Sequence, residues 1–273
     1  MPRRLLRSLG ATLALTALAF LPGCGTLSLE KEQQLGAEYA RELRHQLDFV
    51  REEVVVSYVE QIGRDLVKAA GPQPFQYHFY VVEDPTLNAF AVPAGYIYVN
   101  TGTILAAANA SELAGVMAHE VGHAALRHLA ENYNKQQGAG VLYKLGALGA
   151  AIFLPGAGAA AAQLGGQLAV IGVLNSFSRE AEAEADNFAV EVMPKAGWDP
   201  HGLVTFFQTL NAEAAHGRPP EFLSSHPTTE KRIEATQARI RAAKLPEGLK
   251  EGDAGKLEII QRRIRLLTGH AAR

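Results

Sequence analysis

The run His119-Glu120-Val121-Gly122-His123 constrains this chain more than any other stretch of it. Residues four apart on a helix project from one face, so the two histidines can share a metal ion only if the segment is helical and another element closes over that face. The local pattern agrees with a helix: Leu113, Val116 and Met117 lead into the run at helical spacing, and Ala124, Leu126 and Leu129 continue it. Asn109 can cap the start, with Glu112 three residues later, so the helix is predicted to begin there and to run to about Asn132. Two neutral imidazoles suit a tetrahedral Zn2+. Glu120, between them, can reach an open coordination position, take a proton from a metal-bound water and pass it to a leaving amine.

Such a site needs a third protein ligand. One class of zinc site continues with a Gly three residues past the second histidine and a third His six past it; those positions here are Leu126 and Leu129, which excludes that class. His128 misses the register by one and reads as a surface residue. The remaining option is a carboxylate from a second helix. Within Arg179-Glu180-Ala181-Glu182-Ala183-Glu184-Ala185-Asp186, helical geometry places Glu180, Glu184, Asn187 and Glu191 on one polar stripe. Glu182 and Asp186 share the other face with Ala185, Ala189 and Met193. A simply solvated acidic helix accounts for Glu180 and Glu184 but fits the second pair poorly, because carboxylates on an apolar stripe are costly unless a metal or hydrogen bonds compensate them. Glu182 is therefore assigned as the third ligand, and Asp186 as the acceptor that orients a ligand histidine.

Around this pair of helices the patterns predict a mainly helical α+β protein. Amphipathic helices are expected over residues 30–47 and 52–70, and further helices over 179–193, 200–214, 228–243 and 256–267. A strand is expected over 76–81, where Tyr77, Phe79 and Val81 alternate with other residues, followed by a hairpin of Asn88–Ala91 and Tyr96–Val99 around Val92-Pro93-Ala94-Gly95. Taken alone, that hairpin has a purely structural reading. No charged residue occurs from Leu145 to Ser178, a stretch long enough to span a membrane. Its glycines and the break at Pro155-Gly156 favour instead a helical hairpin or loop that packs on the protein or dips into lipid. There is no internal repeat.

The N-terminus carries Arg3, Arg4 and Arg7 ahead of an apolar stretch from Leu13 to Leu21, the pattern of a signal peptide. Leu21-Pro22-Gly23-Cys24 resembles the lipobox at which bacterial lipoproteins are acylated on Cys and cut before it; Ala17-Leu18-Ala19 is a competing site that would release a soluble protein beginning at Phe20. The expected organisation is a signal peptide over 1–23 and a single domain over 24–273, with a catalytic core at about 75–243. Cys24 is the only cysteine, so no intrachain disulfide is possible, and a core of this size does not require one. Loss of the three leader arginines takes the formal net charge from -2 to -5, which offers nucleic acid no basic surplus to bind.

The His119–His123 run followed by Glu182-Ala183-Glu184-Ala185-Asp186, with Phe177-Ser178-Arg179 ahead of the acidic run, resembles the gluzincin metalloproteases that include the HtpX heat-shock protease, the BepA and LoiP periplasmic proteases and the CAAX prenyl endopeptidase. The likeness extends from the hairpin near Asn88 to about Arg239, and the small periplasmic lipoprotein members match best. It implies a zinc endopeptidase with one Zn2+ per chain and a small β-sheet edging the active-site cleft. The strand Asn88, Ala89, Phe90 and Ala91 would then be an edge to which an extended substrate adds by main-chain pairing. The resemblance also marks two residues that the sequence alone does not. His226, by itself a surface histidine in a loop, would approach zinc as a fourth ligand or gate, and Arg232 would help stabilise the oxyanion. His45, His78, His201, His216 and His270 match nothing. Implied substrates are unfolded or misassembled envelope proteins in quality control. The implied location is the periplasm, with Cys24 tethered to the inner leaflet of the outer membrane because Gly25 rather than Asp follows it. Two departures stand out: no set of membrane helices as in HtpX, and no repeat region after Arg239 as in BepA. Two alternatives are a catalytically silent, chaperone-like zinc protein, against which the intact Glu120 argues, and a structural zinc site with four protein ligands.

Overall fold

Helix α4 (Ala110–Ala125) carries the two histidines through the middle of the protein, and every residue from Ala110 to Ala124 is buried. The computed structural model describes residues 27–138, 175–217 and 219–269. Asn109 caps α4 by accepting from the Glu112 amide at 3.0 Å, as the sequence predicts. Small residues let the neighbours approach closely. A Cβ on Gly115 would lie 2.8 Å from the backbone of Leu203 in α7 (His201–Ala215), and one on Gly122 would lie 3.2 Å from Ala185 in α6 (Arg179–Lys195). Helices α6 and α7 flank α4, and α2 (Glu53–Ala70) and the sheet pack on it as well. Ser178 caps α6, and the face expected to be buried is buried: Glu182, Ala185, Asp186, Ala189 and Met193.

Helix α4 stops at Ala125 rather than continuing to Asn132. Arg127 takes a left-handed φ of 60°, its amide turning back to Ala124 O at 3.2 Å, and a new helix, α5 (His128–Gly138), begins at once. That conformation is unfavourable for a side chain of this size. Its compensation is tertiary: the Arg127 guanidinium bonds the buried carboxylate of Glu32 in α1 (Leu29–Gln46) at 2.8 Å and also the carbonyl of Leu27.

The three strands β1 (His78–Val82), β2 (Ala89–Val92) and β3 (Tyr96–Asn100) form one sheet in the order β1-β3-β2, with β1 parallel and β2 antiparallel to β3. Ala94 and Gly95, at φ 64° and 83°, turn the hairpin. The Asn100 amide bonds Asn88 O at 3.0 Å, and because hydrogen-bonded pairs alternate in an antiparallel ladder, the main-chain groups of Ala89 and Ala91 point to the edge away from β3. Phe79 packs against Gly63 of α2 beneath the sheet, while Tyr80, Tyr98 and Phe90 stack in a row on its other face. The outer side of β1 is partly covered, since Val50 N bonds Val81 O and Glu83 N bonds Asp48 O.

Helices α3 (Thr101–Ala106), α8 (Phe222–Ser225), α9 (Glu230–Ala242) and α10 (Lys256–Thr268) complete the described chain. Its core is one cluster from Tyr39 in α1 to Ile264 in α10. The architecture is α+β and mainly helical, and apart from the helix that ends early at Ala125 the expected elements within the described residues appear with boundaries shifted by up to two residues. Among the described residues, no helix is long and apolar enough to cross a membrane. The leader with Cys24 and most of the uncharged stretch from Leu145 lie outside the described residues.

Candidate metal centre

Four buried side chains from three parts of the chain converge: His119 and His123 of α4, Glu182 of α6, and His226, which follows the single turn of α8. One ligand atom from each lies within 4.8 Å of all the others. His123 Nε2 and His119 Nε2 are 3.0 Å apart, His226 Nδ1 is 3.2 Å from His119 Nε2, and Glu182 Oε1 is 2.8 Å from His226 Nδ1 and 3.4 Å from His123 Nε2. Three imidazoles and a carboxylate with their lone pairs turned toward one point form a nitrogen-rich donor set of the kind that suits Zn2+. Buried atoms here point the same way, for His226 Nε2 and both oxygens of Glu120 lie buried without a side-chain hydrogen bond. The donor set therefore fits a metal ion.

Burial and the neighbouring charges together set the protonation states of the cluster. Burial lowers the pKa of His119 and drives that of His123 well below the ordinary value, against the pull of Asp186 and Glu182, so both rings are neutral. Burial would raise the Glu182 carboxyl, but His226, His123 and His119 outweigh it and hold the group far below the usual carboxylate range. For His226, burial works against the charged ring, and the carboxylates of Glu182 and Glu120 together overcome it and raise its pKa. Glu120 is pushed up to about 7, chiefly by burial, with His226 pulling the other way.

Asp186 and Arg232 stand behind the ligands. Asp186 Oδ1 accepts from His119 Nδ1 at 3.0 Å, which leaves Nε2 of that ring free to face the donor cluster. Arg232 in α9 forks onto Asp186 (Nε to Oδ2 2.6 Å, Nη2 to Oδ1 2.7 Å), places Nη1 2.5 Å from Glu182 Oε2, and lies over the Phe207 ring at 4.5 Å. The fork holds Asp186 ionised although burial opposes it.

His226 is buried, contrary to the surface position that its loop suggests, with Phe222 stacked on its ring at 4.5 Å. His128 is likewise no surface residue. It is 3% exposed and lies 3.0 Å, Nδ1 to Nδ1, from His123, because the left-handed turn at Arg127 swings it back beneath α4. Two further residues border the site. Phe177, marked in the sequence only as part of the run ahead of the acidic stretch, stacks on His123 at 3.8 Å, and Asn175, which the sequence does not mark, donates from Nδ2 to the carbonyl of Ala91 at 3.0 Å, on the outer edge of β2. Of Asn88, Ala89, Phe90 and Ala91, the two alanines offer main-chain groups to that edge, whereas Phe90 packs on Tyr98 and Asn88 O is held by the Asn100 amide and the Thr103 hydroxyl. His45, His78, His201 and His216 lie apart from the cluster: His45 and His216 are exposed, His78 stacks on Tyr96, and His201 pairs with Asp199. His270 and Cys24 fall outside the described residues.

Residues 55–240 match the family model described as peptidase family M48. The beta-barrel assembly-enhancing protease of Escherichia coli (strain K12) is 36% identical over 223 residues, covering 80% of this chain and 45% of that protein. Its counterpart in Yersinia pestis is 34% identical over 239 residues, 84% of this chain and 48% of that one. The mitochondrial metalloendopeptidase OMA1 of Schizosaccharomyces pombe is 32% identical over 181 residues, 64% of this chain and half of that one. The chain thus spans about half the length of the curated relatives it matches.

Proposed function

The chain belongs to peptidase family M48, and on that premise we propose that it is a zinc-dependent endopeptidase that cleaves unfolded or misassembled envelope proteins. One observation carries this reading: Glu120, a fully buried carboxylate with no side-chain hydrogen bond, lies beside a four-donor cluster and near a strand that, among the described residues, pairs with no further strand on its outer edge. His119, His123 and Glu182 would hold the ion. Bound Zn2+ would supply Lewis-acid polarisation of the scissile carbonyl and a more acidic attacking water. Glu120 takes the proton of the attacking water and delivers it to the amide nitrogen as the C–N bond breaks, a task that burial favours by raising its affinity for a proton. Asp186 fixes the His119 ring, and Arg232 steadies Asp186 and Glu182 and, as a buried cation beside the donor cluster, would help stabilise an oxyanion. Extended polypeptide adds along β2 through Ala89 and Ala91, displacing Asn175 from the Ala91 carbonyl; main-chain pairing of this kind accepts many sequences.

The four-donor cluster also suits a structural zinc site, which normally has four protein ligands. Glu120 argues against that reading, since a structural site gains nothing from an unpaired carboxylate 3.5 Å from His226 Nε2. His226 is better read as a displaceable fourth ligand that gates the site. Metal content and casein cleavage of four proteins decide the matter. Glu120→Gln should keep zinc and lose cleavage by at least about 100-fold, and Glu182→Ala should lose zinc. His226→Ala should keep zinc and still cleave. Undiminished cleavage by Glu120→Gln sinks the mechanism in which Glu120 is the general base, and loss of zinc from His226→Ala favours the structural reading.

The proposed setting is the periplasm, with a signal peptide over 1–23, a single domain from residue 24 and a lipid on Cys24 holding it to the outer membrane. The names of the bacterial relatives, which refer to β-barrel assembly, support an envelope substrate. A Cys24→Ser variant should leave the membrane fraction; retention after a high-salt wash counts against the anchor.

A further inference from the structure

We propose that His128 and Glu184 form a relay that sets the tautomer and the aim of His123, which makes them positioning residues for the metal centre. The inference rests on the reading of His123 as a metal ligand. The His123 ring turns Nε2 toward the donor cluster and Nδ1 toward His128 Nδ1, 3.0 Å away, and His128 Nε2 in turn lies 3.0 Å from Glu184 Oε2. Two facing ring nitrogens can bond only if one carries a proton and the other does not.

The carboxylate at the far end settles which. Glu184 accepts only, so His128 carries its proton on Nε2 and presents a bare Nδ1. His123 must then carry its proton on Nδ1, which leaves its Nε2 lone pair facing the cluster, the state a ligand requires. The opposite arrangement would leave His128 Nε2 and the Glu184 carboxylate as two acceptors facing each other. His119 reaches the same state in one step, through Asp186 Oδ1 at 3.0 Å, and His123 reaches it in two. His128 is not itself a ligand, because it meets the side of the His123 ring that points away from the cluster.

The backbone builds this contact. On an unbroken helix His128 would lie about 140° around the axis from His123, facing away from it. The left-handed turn at Arg127, clamped by Glu32, brings it back under the ring, and Phe177 closes the remaining face of His123. Side-chain exposures of 3% for His128 and 63% for Glu184 grade the two effects: water can replace the second acceptor but has little access to the first.

The test is the zinc dissociation constant, by competition with a fluorescent chelator, of the purified full chain and three variants. Wild type should bind one zinc. His128→Leu should bind roughly 10–100-fold more weakly, whereas His128→Asn, whose Oδ1 can stand in for the bare Nδ1, should stay within about threefold of wild type. Glu184→Ala should fall between them. The relay is overturned if the Leu and Asn variants behave alike, whether both bind as wild type or both are weakened. Should His128→Leu not fold, long-range 1H–15N correlations of the metal-free wild type decide instead: protons on His123 Nδ1 and His128 Nε2 support the relay, and the reverse tautomers overturn it. A wild type that takes up no zinc defeats the metal reading, and the tautomer measurement then still decides the relay separately.

Discussion

Glu120 sits in a costly environment, because it is a fully buried carboxylate with no side-chain hydrogen bond. Its pKa of about 7 against an ordinary 4.5 means that the folded state holds the proton more tightly than the unfolded chain. A raised folded pKa contributes stability below the unfolded value that is lost as pH climbs through the folded one, here between about pH 4.5 and 7. Glu182 and Asp186 run the other way: their depressed pKa values contribute stability above the ordinary carboxylate range, lost only in acid. Comparing wild type with Glu120→Gln isolates the first effect. In metal-free protein the variant should be nearly equal to wild type at pH 4.5 and more stable by up to about 3 kcal/mol at pH 8. Urea unfolding at the two pH values checks this, and a difference independent of pH refutes it. The residue that makes the chemistry possible is then one the metal-free fold is better off without.

At the scale of elements, the site rests on how close α6 and α7 come to α4. Gly115 permits part of that approach, since a Cβ there would lie 2.8 Å from the Leu203 backbone, and backbone cannot swing aside as a flexible side chain can. Gly115→Ala gains about 1 kcal/mol of helix propensity, yet it should lower stability by roughly 1–3 kcal/mol through overpacking. Denaturant unfolding measures the sum, and an alanine variant as stable as wild type would show that α7 yields at this contact. The helices around this packing were legible because their apolar residues recur at helical spacing, and Glu182 with Asp186 was legible for the same reason: two carboxylates on an apolar stripe demand partners. The edge strand was legible as a hairpin from its alternation. His226 and Arg232 carry no such local signal, because a loop residue and one arginine on a polar helix acquire their roles only through tertiary contact, and a family resemblance was needed to mark them. His128 was misplaced outright. Helical register places it away from His123, and nothing local to residues 119–129 announces the turn at Arg127, whose compensating partner Glu32 lies at the other end of the chain's described part. Glu184 is exposed, as its place on the polar stripe predicts, and only its contact with His128 was hidden from the sequence.

For the whole molecule, the donor cluster joins segments that are far apart in sequence: α4, the start of α6, and the loop that ends at His226. A metal ion bound by all of them would act as a clip that only the folded chain can offer, because the unfolded chain scatters the four donors. Binding confined to the native state stabilises it by RT ln(1 + [L]/Kd), about 4 kcal/mol when free zinc stands at 1,000 times Kd. For a protein of this length each kcal/mol moves the thermal midpoint by about 2–4 °C, so removing zinc with a chelator should lower the midpoint by roughly 8–16 °C and restoring it should reverse the change. The variants separate the clip from the chemistry. Glu120→Gln leaves every ligand in place and should show the full shift although it no longer cleaves casein. Glu182→Ala removes the only donor that α6 supplies and should melt at one temperature with or without zinc. A wild-type midpoint indifferent to zinc would mean that the four side chains are held together by the surrounding helices alone, with Arg232 and Asp186 doing what the ion is asked to do here.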